Sequence, residues 1–333
     1  MSEIGDALSR SLNGSSTLKL TLDLQQPHKF IIFSDQHKGA GDGADEFRHC
    51  MPAYRAALRH YRGKAFKLVL LGDVEELWEQ GFRTVERTYR NILRLEGSFP
   101  KGHYFRLWGN HDDRWQHESH VNKRLRPYTS DGVVAEGICF EVVNGDVEIG
   151  RMFLVHGHQG TLASDRLGRL GPLGLRVYRW LQRLFHIGGN TPARDACLRD
   201  WHEGQMYAWA VDQKDLILVT GHTHRPVWNS RTHLQKLQME LENLKSELHV
   251  PPEFVRQKEM EVAERMAKNP PCAESERDLP VYFNAGSCAF DDGDITGIEL
   301  EDGVIRLIKW AHGSHERIVL EEDFLRQIYG RLK

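Results

Sequence analysis

Seven side chains able to hold a cation recur along this chain: Asp35, His37, Asp73, Asn110, His156, His222 and His224. They mix imidazole with carboxylate and amide oxygen and include no thiolate. That donor set suits manganese, iron, zinc or a similar divalent ion rather than a structural thiolate zinc site. It also exceeds what one tetrahedral ion needs. It fits two five- or six-coordinate ions that share a carboxylate and a solvent molecule. Two cations about 3.5–4 Å apart are the usual device for in-line attack on phosphorus.

Each group of donors follows a short apolar run. Lys29-Phe30-Ile31-Ile32-Phe33 leads into Ser34-Asp35-Gln36-His37, and Phe66 to Leu71 leads into Gly72-Asp73. Tyr104 to Trp108 leads into Gly109-Asn110-His111-Asp112, and Met152 to Val155 into His156-Gly157-His158. Leu216-Ile217-Leu218-Val219 leads into Thr220-Gly221-His222-Thr223-His224-Arg225-Pro226. Apolar runs bounded by glycine read as buried strands. Helical patterns lie between several of them, at Phe47 to Tyr61 and Val85 to Leu95, so the expected fold is α/β with helices covering the sheets. Ligand sites in such folds lie beyond the carboxyl ends of strands. All five clusters occupy that kind of position and could converge.

The remaining features bound the class. The chain has 333 residues, 40% hydrophobic and 27% charged, which suits a globular protein with a sizeable core. A formal net charge of −3 predicts no strong attraction to nucleic acid, so no nucleic-acid partner is expected. The five scattered cysteines, Cys50, Cys139, Cys197, Cys272 and Cys288, read as reduced thiols. Met1 to Ser16 is polar, and no stretch is apolar enough to span a membrane. The expected location is the cytoplasm. Val281 to Ser287 and Gly297 to Trp310 read as closing strands, the latter turning at Glu301-Asp302-Gly303.

The motifs D-x-H, G-D-x-x-E, G-N-H-D, H-G-H and G-H-T-H, in this order, resemble the calcineurin-like metallophosphoesterase superfamily. The resemblance covers about Lys29 to Ser287, apart from a leucine-rich insertion. It implies a single domain over 1–333 with a four-layer α/β/β/α sandwich. It further implies that Asp35, His37 and His224 hold one metal and Asn110, His156 and His222 a second, with Asp73 bridging both. Manganese would be the first choice, with iron, zinc, nickel or magnesium as alternatives. His111, paired with Asp112, would stabilise the phosphoryl oxygens and protonate the leaving group. The nucleophile would be a hydroxide bridging the metals.

Within the superfamily, S-D-x-H, G-D-x-x-E-x-W and H-G-x-Q-G-T-L-A-S-D are similar to the UDP-2,3-diacylglucosamine diphosphatase branch. That branch cleaves a pyrophosphate bond in a lipid-linked sugar nucleotide and has a helical cap where this chain has residues 164–201. Members carry arginine where this chain has His111 and aspartate where it has His158. Asp165, Arg166, Arg169 and Arg225 are the candidate substrate contacts. The arginine-rich stretch Arg166 to Ile187 carries five arginines and no acid. It could grip a phosphorylated amphiphile or rest on the inner face of a membrane. A cap helix that packs on its own body with solvated arginines is the favoured alternative.

Leucines 234, 237, 241, 244 and 248 form a short a/d seam. With Glu253 to Lys268 it predicts a helical hairpin insertion over 229–270, and dimerisation through it is the sharper alternative. The functional reading is a hydrolase of a small phosphodiester or pyrophosphate. The alternatives are a phosphomonoesterase or phosphoprotein phosphatase, and a catalytically silent scaffold.

Overall fold

The computed structural model describes residues 2–129, 132–160, 195–246, 250–268 and 277–333. Two seven-stranded sheets carry the fold. The first runs β1 (Thr17–Asp23), β6 (Gly137–Asn144), β7 (Val147–Val155), β8 (Leu216–Thr220), β11 (Tyr282–Asn284), β9 (Val227–Trp228) and β10 (Arg231–Thr232). The second runs β14 (Arg317–Phe324), β13 (Val304–Trp310), β12 (Ile295–Glu301), β2 (Lys29–Phe33), β3 (Lys67–Leu71), β4 (Tyr104–Leu107) and β5 (Val133–Ala135). In the second sheet β2, β3, β4 and β5 are parallel neighbours, and in the first β7, β8 and β11 are.

Strand periodicity creates the layers, because alternate side chains point to opposite faces. On β2, Phe30 and Ile32 enter a core shared with Val69, Leu71, Met152, Leu154, Ile217 and Val219, which lies between the two sheets. Ile31 and Phe33 point the other way, with Leu68 and Leu70, and meet helices α2 (Phe47–Gly63) and α3 (Phe82–Glu96). On the far face, Phe153, Val155, Leu216 and Leu218 pack under α1 (Glu3–Asn13) and, beyond a short turn α4 (Glu118–His120), α5 (Ala196–Asp212). The order is helix, sheet, sheet, helix. Strands covered on both faces read as continuous apolar runs, which is why the sequence marks them.

Helix α6 (His233–Ser246) and α7 (Pro252–Lys268) fold back on each other around Leu234, Leu237 and Val262, with Leu241 partly buried. A final short helix α8 (Leu325–Gly330) follows β14. Of the expected cap over 164–201, residues 164–194, which include Asp165, Arg166 and Arg169, lie outside the described residues; Ala196 to Trp201 open α5. Among the described residues no helix is long and apolar enough to cross a membrane. The expectation of five reduced thiols needs correction: Cys50, Cys139 and Cys288 are free and buried, whereas Cys197 is disulfide-bonded. Cys272 lies outside the described residues.

Candidate metal centre

Five turns leave the carboxyl ends of β2, β3, β4, β7 and β8, and they bring the ligand residues together. Parallel pairing of β2 with β3 and β4 aligns three of the turns, and pairing of β7 with β8 aligns two more. The turns are sharp. Asp35, His37, Asp73, His222 and His224 all have positive φ, between 48 and 66°. Left-handed backbone at non-glycine residues costs about 1–3 kcal/mol each and persists only where surrounding structure over-determines it. Glycines permit the close approaches. A Cβ on Gly72 would sit 2.6 Å from His156 Nδ1, and one on Gly109 would collide with the Asp73 carboxylate.

Three groups of donors result among the described residues. Asp35, His37 and His224 form one, Asp73, His156 and His222 a second, and His37, Glu76 and His111 a third that shares His37 with the first; within each, the ligand atoms lie within 4.8 Å of one another. In the first, His37 Nε2 faces His224 Nε2 at 3.0 Å, and His224 Nε2 lies 3.2 Å from Asp35 Oδ1. In the second, His156 Nε2 lies 3.1 Å from Asp73 Oδ2. Asp73 connects these two groups, since the same Oδ2 is 3.8 Å from His37 Nε2. Backbone donors fix both carboxylates: His111 N bonds Asp73 Oδ1 at 2.8 Å, and His222 N bonds Asp35 Oδ2 at 2.9 Å.

Asn110 Oδ1 and His222 Nε2 are buried and find no hydrogen-bond partner among the described residues, while Asp35 Oδ1 and His156 Nε2 face only His224 and Asp73 across the site. Buried polar atoms are normally satisfied, so two orphans beside two facing ligand pairs fit a site for cations. The tautomer of His156 supports this. Its Nδ1 donates to the Leu71 carbonyl at 2.8 Å, so Nε2 is the ring atom that faces Asp73 and is free to ligate once it loses its proton. Electrostatics agree in sign. Burial opposes charge on Asp35 and Asp73, but the surrounding histidines hold both carboxyls below the usual range. Burial likewise opposes the His156 cation, yet Asp73 and Asp35 raise its pKa to about 9. Such a cluster is charge-complementary to divalent ions once the imidazoles lose their protons.

His111 differs from the sequence expectation in its partner. Its Nδ1 meets Glu76 Oε2 at 2.6 Å, its ring stacks on Trp78 at 4.1 Å, and its edge meets His37 at 4.7 Å. Asp112 turns away and is fully buried. It accepts from Gly109 N at 2.7 Å and Val74 N at 2.9 Å, with Arg106 at 3.4 Å. The expected His111–Asp112 pair is therefore replaced by His111–Glu76, because adjacent residues on this tight turn point in opposite directions. Asp112 fastens the β3 and β4 turns to each other.

Glu76 is legible in the sequence only as the last letter of G-D-x-x-E. Its Oε2 also meets His37 Nδ1 at 3.2 Å, so one carboxylate orients both a candidate metal ligand and His111. Two further histidines flank the second group. His158 lies 5.4 Å from His156 between ring centres, and His202, on α5, lies 5.3 Å from His222. Burial first, then the positive field of His156, pushes their pKa values down to about 3 and about 4. Both are neutral at physiological pH. Arg225 is half-buried and committed to carboxylates, at 2.6 Å from Asp200 and 3.2 Å from Glu203.

Comparison with known proteins gives the family. The family model described as calcineurin-like phosphoesterase matches residues 28–226, well over half of the 333 residues. The chain belongs to that family and is a metal-dependent phosphoesterase. A search of the curated proteins returns no match. Among solved structures, similarity extends to vacuolar protein sorting 29 from Cryptosporidium parvum, at 14% identity over 90% of this chain and 98% of that one, with TM-score 0.35. A conserved uncharacterized protein from Streptococcus pneumoniae, described as a predicted phosphoesterase, shows 13% identity over 90% and 97%, with TM-score 0.35. Likenesses this distant carry no functional weight.

Proposed function

We propose that the chain uses two divalent cations to hydrolyse a phosphodiester or pyrophosphate bond in a small substrate, lipid-linked or nucleotide. The supporting observation is the position of Asp73, whose one carboxylate lies between two donor groups, each drawn from both sheets. Asp35, His37 and His224 would hold one ion and Asn110, His156 and His222 the other. Manganese suits the oxygen and nitrogen donors. When bound, the ions supply Lewis acidity, which lowers the pKa of water and offsets charge on the phosphoryl oxygens.

The chain's own residues do the rest. With Nδ1 of His111 bound to Glu76, only Nε2 is left for a substrate oxygen. Burial disfavours the imidazolium, but Glu76 and Asp73 raise its pKa above the ordinary value, which favours a role for His111 as proton donor to the leaving oxygen. Stacking on Trp78 and the edge contact with His37 keep that atom in place. A phosphomonoester would present a dianion, best held by a free arginine fork. Arg225 has its guanidinium tied to Asp200 and Glu203, which favours the diester or pyrophosphate reading.

The test is metal analysis combined with Mn²⁺-dependent hydrolysis of a bis-aryl phosphate, a mono-aryl phosphate and UDP-diacylglucosamine. Two metals per chain with preference for the bis-aryl or sugar-nucleotide substrate is the expected result. Preference for the mono-aryl phosphate would move the chain to the phosphomonoesterases. No metal and no turnover would make it a silent scaffold.

A further inference from the structure

The turn from Gly221 to Arg225 supplies the first two donor groups at once. His222 and His224, only two residues apart, each belong to a different group, and both are left-handed, with φ of 66° and 56°. Between them Thr223 points the other way, into the protein, and is fully buried. Its hydroxyl donates to Glu203 Oε1 at 2.8 Å and accepts from Asn284 Nδ2 at 3.1 Å. The same Asn284 amide donates to the Gly221 carbonyl at 2.7 Å. Glu203 is itself fully buried on α5. Its charge is balanced by Arg225, through Nε at 3.2 Å and a close Nη2 contact, and by Arg277 at 3.7 Å.

We infer that Glu203 is a positioning residue for the metal centre, acting through Thr223 to fix the spacing of His222 and His224. It touches neither ion nor substrate. Arg225 spans both Glu203 oxygens and Arg277 approaches Oε2, which holds Oε1 as a fixed acceptor for the Thr223 hydroxyl, and charge-assisted hydrogen bonds are stronger than neutral ones. The residue it grips lies between the two ligands, so a single anchor sets both halves of the site. Without it the left-handed turn has less to hold it against relaxation, and partners behind metal ligands are worth about 10–100-fold in metal affinity. Helix α5 thereby becomes part of the site, and His202, adjacent to Glu203, packs its ring beside His222. The inference rests on the two-metal reading above.

The experiment compares Mn²⁺ binding to metal-free wild type, Thr223→Val, Thr223→Ser, Glu203→Gln and the Val/Gln double variant, together with metal-free melting temperature. Thr223→Val removes the link yet leaves the Glu203–arginine pairs intact, so it decides the matter even where Glu203→Gln does not fold. The expected result is a loss of about 10–100-fold in Mn²⁺ affinity for Thr223→Val, with the metal-free melting temperature close to wild type. Thr223→Ser, which keeps the hydroxyl, retains wild-type affinity. Glu203→Gln matches Thr223→Val, and the double variant is no worse than either, as shared partners require. Two ions bound by Thr223→Val with wild-type affinity overturn the inference and leave the two-metal reading standing. Wild type that takes up no Mn²⁺ overturns that reading itself.

Discussion

The ligand-bearing turns and the α6–α7 hairpin are organised by opposite means. At the turns, five residues hold positive φ, and buried carboxylates such as Asp35, Asp73 and Asp112 each accept backbone N–H bonds from a neighbouring turn. The hairpin has a core of Leu234, Leu237 and Val262, exposed ion pairs such as Lys245–Glu259, and Phe254 and Met260 more than half exposed. The first region is held against strain by crossing hydrogen bonds; the second is held mostly by helix pairing. Strain of this kind is common at functional sites, and among the described residues five of the eleven left-handed non-glycine residues fall on these turns.

Two substitutions probe the strained side hardest. Asp73→Ala removes the carboxylate that belongs to one donor group and lies 3.8 Å from His37 of the other. It is expected to abolish turnover and strip metal from the protein while the circular dichroism spectrum stays native. Wild-type turnover in that variant would refute the site assignment. His111→Ala removes a proton donor that belongs to neither of these groups, so both ions should remain and turnover should fall about 10²–10⁴-fold. Metal analysis beside the rate measurement separates the two cases, and loss of metal would show that His111 is a ligand rather than a proton donor.

How far the sequence reveals these regions follows from what each depends on. The five apolar runs are strands β2, β3, β4, β7 and β8, legible because both faces are buried and the donors follow at once. Strand β1, Thr-Leu-Lys-Leu-Thr-Leu-Asp, sits at a sheet edge with Lys19 and Thr21 exposed, so it shows only a polar–apolar alternation with no donors after it. Helix α1 lies in a stretch that is polar on average, and Ile4, Leu8 and Leu12 mark one face only once the helix is seen. The partners behind the ligands are harder still. Glu203 looks like any solvated acid on a helix, and only the fold brings it to Thr223. Glu76 is visible as a letter of a motif, but its reach to two imidazoles from distant turns is a property of space.

Acidity gives a smaller, graded test. In the metal-free protein the His156 pKa is raised from 6.5 to about 9, against burial, by Asp73 and Asp35. A raised histidine contributes stability that is complete below pH 6.5 and is lost as the pH climbs through about 9. Metal ligation requires the neutral ring. Mn²⁺ uptake near pH 7.5 should therefore release a proton from His156, and apparent affinity should rise with pH up to about 9. Calorimetry in buffers of different ionisation enthalpy reads the released proton directly. An affinity flat across this range would contradict the placement of His156 beside two carboxylates.

The smallest effect belongs to the hairpin. Leu237→Ala opens a cavity in a cluster of only a few side chains, so its cost should fall near about 2 kcal/mol, the low end for buried leucine. The loss should also be local. The hairpin meets the sheets through β10 and the Lys236–Glu321 contact, and neither reaches the five turns. Hydrogen exchange should therefore quicken over 233–268, through opening of that unit alone, with metal content and turnover unchanged. If Leu237→Ala lowered Mn²⁺ affinity, the two regions would share a mechanical unit, and the rigidity credited to the turns would have to be traced partly to the helices beyond β10.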